Sequence, residues 1–348
     1  MSTIGIVSTG SYVPSTVVTN EEIAGNAGVT AEWIVRKTGI HERRRAAGHE
    51  ATSDLAAHAA RNALAQAGLR PEQLSYIVLA TSTPDHPQPA TASIVQGAIG
   101  ATNAAAFDVN AVCSGFVYAL TVAERLLAGG DGYGLVVGVD IYSRILDYTD
   151  RKTCILFGDG AGAVVLGPAG RDRGILETGL ITHGDQHRLI SVPAGGSRIP
   201  PSTESVRAGQ HFFRMDGRGV RGFVHENLPG ALHQLLDKAG VPAAEVQHFI
   251  PHQANGVMLH EVWPELGLDR AALHLALRRY GNTGSGSVPI TLDLVHRQGL
   301  LAEGDVVLLA GFGGGMNVGS ALLRWGATAC AAPARTRRPA LAGAGGVR

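Results

Sequence analysis

Three side chains in this chain have the types and local settings to do chemistry, a candidate nucleophile and two polar groups: Cys113, His252 and Asn282. Cys113 follows an apolar, strand-like run (104–109) and opens a helical pattern in which Phe116, Leu120, Ala123 and Leu127 recur at helix spacing, with Gly129-Gly130 as the expected stop. A thiol at a helix mouth faces unpaired N–H groups and the positive end of the helix dipole, which predicts a lowered pKa and a nucleophilic thiolate. A small buried core cysteine is the competing reading of that stretch. His252, in Pro251-His252-Gln253-Ala254-Asn255, follows an apolar strand (246–251). The carboxyl end of a strand is where open α/β sheets present their sites, although a lone histidine there also fits a partly buried structural role. Asn282 lies in the glycine-dense run 281–286 ahead of a helix, where it reads equally as a turn former.

The elements that must position these groups alternate. Strands are expected at 3–8 (ended by Gly10), 75–81, 104–109, 134–140, 161–166, 175–182, 246–251, 305–310 and 318–325. Helices are expected at 31–37, from Ser53 to Gly68, up to Gly97, from Cys113, and at 220–239, 253–266 and 290–298. Such alternation predicts an α/β fold with buried strands. Val136-Val137-Gly138 with Gly158–Leu166, and Val306-Val307-Leu308 with Gly313–Leu323, both run from an apolar strand through a glycine loop to a second apolar strand. This echo predicts a duplication, with an N-terminal half at 1–170 and a C-terminal half at 171–328. Residues 329–348, rich in Ala, Pro, Gly and Arg, are expected to be a disordered tail.

Composition narrows the function classes. With 348 residues, 45% apolar and 17% charged, the chain can bury a large core. A formal net charge of zero gives no reason to expect nucleic acid or an anionic membrane as partner. No apolar run is long enough to span a bilayer. Three sparse cysteines (Cys113, Cys154, Cys330) and no recognisable signal peptide suggest a reducing, cytoplasmic setting. The 14 histidines show no ligand spacing, so no metal site is expected. Gly158-Asp159-Gly160-Ala161-Gly162 has the wrong spacing for a dinucleotide loop and reads as a tight turn.

Taken together, Asp108-Val109…Cys113-Ser114-Gly115-Phe116, Pro251-His252-Gln253-Ala254-Asn255, Gly281-Asn282-Thr283…Ser287-Val288-Pro289 and Phe312-Gly313-Gly314-Gly315 resemble β-ketoacyl-acyl-carrier-protein synthase III, a condensing enzyme of the thiolase superfamily. The likeness runs from about Ile4 to Trp325. It implies a five-layered αβαβα fold from two duplicated halves, usually a homodimer, with no permanently bound cofactor. Cys113 would take the acyl group from acyl-CoA as a thioester. Backbone N–H groups of Cys113 and Gly314 would form an oxyanion hole, and His252 and Asn282 would hold the thioester carbonyl of a malonyl group, on an acyl carrier protein in the family, while it loses CO2. Trp33 and Arg151 would sandwich the adenine of coenzyme A, Lys37 would meet a phosphate, and Asn255 would help bind the pantetheine arm or a water near the site. Gln88, Phe157 and Phe312 would line the acyl pocket, Gln88 coming from the dimer partner.

Three departures set this chain apart from the resemblance. Basic carrier-docking positions are Val257, Pro264 and Glu265, although Arg214, Arg218 and Arg221 keep some positive charge. Gln88 makes the acyl pocket more polar. Gly284-Ser285-Gly286 is expected to add backbone freedom beside Asn282. These leave open an acyltransferase that passes the Cys-bound acyl group to an alcohol, amine or other thiol in secondary metabolism. A non-catalytic partner subunit, which would lack the nucleophile, is disfavoured by Cys113.

Overall fold

The computed structural model describes residues 3–128, 132–170 and 173–326. The expected helix stop at Gly129-Gly130, Cys330 and the tail at 329–348 lie outside the described residues.

Two five-stranded sheets organise the chain. In the first, the strands in chain order are Ile4–Tyr12, Leu74–Ala80, Ala105–Val109, Tyr133–Ile141 and Asp159–Pro168, arranged first-fifth-fourth-second-third. In the second they are Gly174–Thr182, His248–Pro251, Ala272–Leu273, Val306–Gly313 and Asn317–Arg324, in the same first-fifth-fourth-second-third arrangement. Pairing directions repeat as well. In each sheet the fifth strand is antiparallel to both neighbours, while the second is parallel to the third and fourth.

Helices fill three layers around these sheets. Thr52–Ala67 covers the outer face of the first sheet with an alanine-rich stripe (Ala56, Ala59, Ala60, Ala63). Gly115–Leu127 and Ser287–Arg297 lie between the sheets, where Phe116, Leu120, Val288 and Leu292 share one core with strand residues of both. Gly217–Ala239 packs on the outer face of the second sheet. The result is the five-layered α/β architecture expected of a thiolase-like fold.

Several local expectations shift. The first strand continues past Gly10 to Tyr12 because its pairing with the Asp159–Pro168 strand continues. Gly10 serves close approach instead: a Cβ there would lie 2.3 Å from the Ala63 backbone nitrogen. Residues 159–162 are strand rather than a turn. Gly162 admits the central Ser287–Arg297 helix, since a Cβ would lie 2.5 Å from Ile290 N. The 253–266 helix begins only at Gly256, where Asn255 caps it by accepting from Val257 N–H and Met258 N–H. The Asn20–Ala27 helix and the Thr16–Thr19/Glu42–Arg45 ribbon were not expected, because short polar segments carry little periodicity.

Candidate active site

Cys113 sits on a tight turn. After the Ala105–Val109 strand the chain forms one 3₁₀ turn, Val112–Ser114, and then the Gly115–Leu127 helix. Val112 is held at φ 48°, a left-handed conformation that a β-branched residue rarely adopts. Its N–H donates to Asn110 Oδ1 at 3.2 Å, and Ser114 Oγ donates to Ala111 O at 2.6 Å. The strained turn carries the thiol to the mouth of a central helix, 5% exposed.

The expected lowering of the thiol pKa does not hold. Burial pushes Cys113 up, the charge of Asp140 adds to this, and a hydrogen bond with the Tyr142 hydroxyl only partly opposes it. A helix mouth stabilises a thiolate by a modest amount, whereas dehydrating an anion costs more. The resting sulfur is therefore a thiol.

His252 follows the His248–Pro251 strand, and its backbone N–H donates to Ala310 O at 2.7 Å. The ring lies edge-on to Phe312 with centroids 5.2 Å apart. Nδ1 is 2.7 Å from Ser287 Oγ, which also accepts from Gln253 N–H at 3.3 Å. The Ser287 proton has no other acceptor among the described hydrogen bonds, so it points to Nδ1 and leaves the ring proton on Nε2. Burial lowers the His252 pKa to about 3, which keeps the ring neutral at physiological pH.

Asn282 is fixed by its own loop. Its N–H donates to Leu156 O at 2.8 Å and its carbonyl accepts from Gly158 N–H at 3.0 Å. Gly284 N–H donates to Oδ1 at 2.9 Å, which leaves the Nδ2 group as the outgoing donor. The glycines beside it do not loosen the loop, contrary to expectation. Gly284, Ser285 and Gly286 are buried, and a Cβ on Gly284 would lie 2.2 Å from Asp140 Oδ2.

Contacts between the halves bring these groups together. A Cβ on Gly313 would lie 2.8 Å from Cys113 Cβ, and one on Gly314 would lie 3.1 Å from Val112 Cγ2. On the other side of the sulfur, Tyr142 stacks on Phe157 at 4.4 Å and meets Phe213 edge-on at 5.4 Å. Phe157 is bridged to Asn282, while His252 rests on Phe312. The structure thus gathers Cys113, His252, Asn282, Gly314, Phe157 and Phe312 into one buried centre.

A cavity of about 1000 Å³ leads toward this centre, lined by Trp33, Lys37, Arg151, Asn255 and, at its buried end, Asn282. Lys152, Arg188, Arg214 and Arg218 add positive charge to its wall. Asn255 contributes less to a ligand than expected: its oxygen caps a helix and its Nδ2 donates to Lys37 O at 3.1 Å. Gln88 is exposed and does not line this cavity. Ser287, Asp140 and Tyr142 were not singled out from sequence. Ser287 lay within a motif already read, whereas Asp140 looked like the end of an apolar strand and Tyr142 lay in no element read from sequence.

Two sheets of one topology around a buried thiol, a neutral imidazole and a carboxamide define a condensing enzyme of thiolase-like fold. The family model described as 3-oxoacyl-[acyl-carrier-protein] synthase III matches residues 107–184, and the model of its C-terminal part matches residues 236–325. Acetoacetyl CoA synthase NphT7 of Streptomyces sp. strain CL190 is 55% identical over 322 residues, covering 92% of this chain and 98% of that protein. A β-ketoacyl-[acyl-carrier-protein] synthase III of Symbiobacterium thermophilum is 44% identical, covering 93% of this chain and 98% of that one. Among solved structures, the Aquifex aeolicus 3-oxoacyl-[acyl-carrier-protein] synthase III superimposes with a TM-score of 0.85 at 36% identity, covering 92% of this chain and 100% of that one. The priming β-ketosynthase of the R1128 polyketide pathway gives a TM-score of 0.86 at 30% identity, covering 93% and 96%. The chain belongs to the 3-oxoacyl-[acyl-carrier-protein] synthase III family.

Proposed function

We propose that this enzyme transfers an acyl group from acyl-CoA to Cys113 and condenses it with a malonyl thioester, with loss of CO2, to start a fatty-acid or polyketide chain. The observation that carries the reading is the double restraint on the donors. His252 Nδ1 and Asn282 Oδ1 both have partners inside the protein, so each group offers a hydrogen to what lies beside Cys113.

In the first step the Cys113 sulfur attacks the thioester carbonyl of acyl-CoA. A new C–S bond forms, the bond to coenzyme A breaks, and the thiol proton leaves with the departing coenzyme A thiolate. The N–H groups of Cys113 and Gly314 take the oxyanion. In the second step His252 Nε2–H and Asn282 Nδ2–H hold the malonyl thioester oxygen. Breaking the C–CO2 bond puts negative charge on that oxygen, which both donors bind more tightly than the neutral thioester carbonyl. The enolate carbon then attacks the acyl carbonyl, and the Cys113 thiolate leaves and takes a proton from solvent, the one proton that the overall reaction consumes. Incubation with acyl-CoA and malonyl thioester should release CO2 and a β-ketoacyl product. Acylation of Cys113 without CO2 release would favour the acyltransferase reading.

The acceptor is best read as malonyl-CoA. The expected docking face lacks free positive charge at its centre: Arg221 pairs with Glu261 at 3.0 Å and His225 with Glu265 at 2.8 Å. Positive charge is concentrated instead on the cavity wall, where it suits a phosphate-bearing small thioester. The similarity to a protein named acetoacetyl CoA synthase agrees with this reading. The expected outcome is a higher kcat/KM for malonyl-CoA than for malonyl-carrier protein. The variant Glu261→Lys/Glu265→Lys should improve only the carrier-protein reaction.

A homodimer is part of the same proposal. The Ala105–Val109 strand is a half-exposed sheet edge of mostly apolar sequence, open to pairing with a second copy. Exposed Gln88 would then be available to a neighbouring site. Sedimentation at micromolar concentration should give twice the chain mass.

A further inference from the structure

Asp140 is fully buried and takes no part in the steps above. It is the penultimate residue of the Tyr133–Ile141 strand. Its Oδ1 accepts from Thr81 Oγ1 (3.2 Å), Ser82 N–H (2.8 Å), Ser82 Oγ (3.0 Å) and Thr83 Oγ1 (2.9 Å), all in the N-terminal half. Its Oδ2 accepts from Ser285 N–H at 2.7 Å and Ser285 Oγ at 2.8 Å, both in the C-terminal half. None of these partners is a cation. Burial raises the pKa of this carboxyl while the donors lower it. Two of the donors are backbone N–H groups, which cannot take a proton from the acid, so the arrangement suits a carboxylate.

The grip reaches both reaction centres. Ser285 follows Gly284, whose N–H fixes Asn282 Oδ1. The same serine lies against the Cys113 helix, since a Cβ on Gly115 would stand 3.6 Å from Ser285 Cβ. The titratable groups around the sulfur are Asp140 and Tyr142 on one side, and on the other neutral His252 behind Phe312-Gly313.

We propose that Asp140 is a positioning residue: its carboxylate sets the Asn282 donor against Cys113 across the boundary between the halves. The inference rests on the condensing reading of the site. Asp140→Asn offers an NH2 group to one set of donors and so releases one side of the clamp. Condensation should fall by about a hundredfold, the scale of a 1 Å misplacement. Acylation of Cys113, read as a mass shift with acyl-CoA, should stay equal to or above that of the wild type. Alkylation of Cys113 by iodoacetamide should move to lower pH, because a nearby negative charge has gone.

Equal loss of both half-reactions, as a merely structural role would give, or an unmoved alkylation curve, which would mean that no carboxylate stands there, overturns the proposal. Ser285→Ala keeps the charge and loses one donor, so it decides the matter if Asp140→Asn does not fold. It should lower condensation more than acylation, with the alkylation curve unmoved. Equal losses in the two half-reactions would overturn the proposal. Failure of the wild type to condense would refute the functional reading instead, and the alkylation curves would still test the charge of Asp140.

Discussion

The two halves place different chemistry at matching points of one topology. In each, a 3₁₀ turn precedes the central helix that follows the third strand: Val112–Ser114 before Gly115–Leu127, and, after the short Leu277–Tyr280 helix, Gly284–Gly286 before Ser287–Arg297. The first turn carries the thiol, and the second begins two residues after Asn282. The sheet registers extend the parallel. Ala80 pairs with Gly138 in one sheet and Pro251 with Ala310 in the other, which makes Thr81 the counterpart of His252 and Asp140 that of Phe312. Thr81 hydrogen-bonds Asp140, whereas His252 stacks edge-on against Phe312. One half thus uses the position to bind a carboxylate inside the protein. The other seats a neutral donor on an apolar ring and directs it at substrate.

If the comparison is right, each half fails in its own way. The largest effect belongs to the N-terminal half. Cys113→Ala should abolish the mass shift with acyl-CoA and cut condensation by at least about a thousandfold, as expected when a covalent path is removed. Next comes His252→Ala, which removes a donor to developing charge. Condensation should fall by about a hundredfold or more, with acylation within a few-fold of wild type. If both variants lose acylation alike, the division between the halves is wrong. Ser287→Ala frees His252 Nδ1 and lets the ring proton leave Nε2. Condensation alone should fall by about tenfold, on the scale of one hydrogen bond, with acylation of Cys113 unchanged.

Much of this division was legible in the chain. The αβ alternation and the glycine-flanked strand pairs carried the fold, because buried strands and tight turns leave strong local signals. Cys113, His252 and Asn282 were legible because each stands in a distinctive local run. What holds them was not. Ser287, Asp140 and Tyr142 act through partners 35 or more positions away or through stacking, and local sequence carries no trace of such pairings. The thiol pKa was misread for a related reason. A helix mouth is visible in sequence, while the burial that outweighs it arises only when both sheets close over the sulfur. The glycines at 284 and 286 were likewise read as freedom, when they mark places where two backbones or a carboxylate come too close for a side chain.

The smallest predicted effect separates the halves by pH. In the C-terminal half, His252 has its folded pKa lowered to about 3 by burial, below an unfolded value near 6.5. Below pH 6.5 the unfolded chain therefore binds a proton that the folded chain refuses, so stability falls with pH until the folded value is reached. Between pH 7 and 5.5 this single ring should cost about 1 kcal/mol in urea titrations. His274, lowered to about 4 by burial and the neighbouring His248, adds a smaller term of the same sign because it is only half-buried. In the N-terminal half Asp140 and Asp159 are raised by burial, so they act in the opposite sense. His252→Gln should flatten the pH 7 to 5.5 slope by that 1 kcal/mol, and His274→Asn by less. Wild-type condensation should show no inflection near pH 6.5, since a ring that stays neutral keeps its Nε2 proton throughout. An unchanged slope in His252→Gln would mean that the ring is protonated in the folded enzyme, and the two-donor account of the C-terminal half would fall with it.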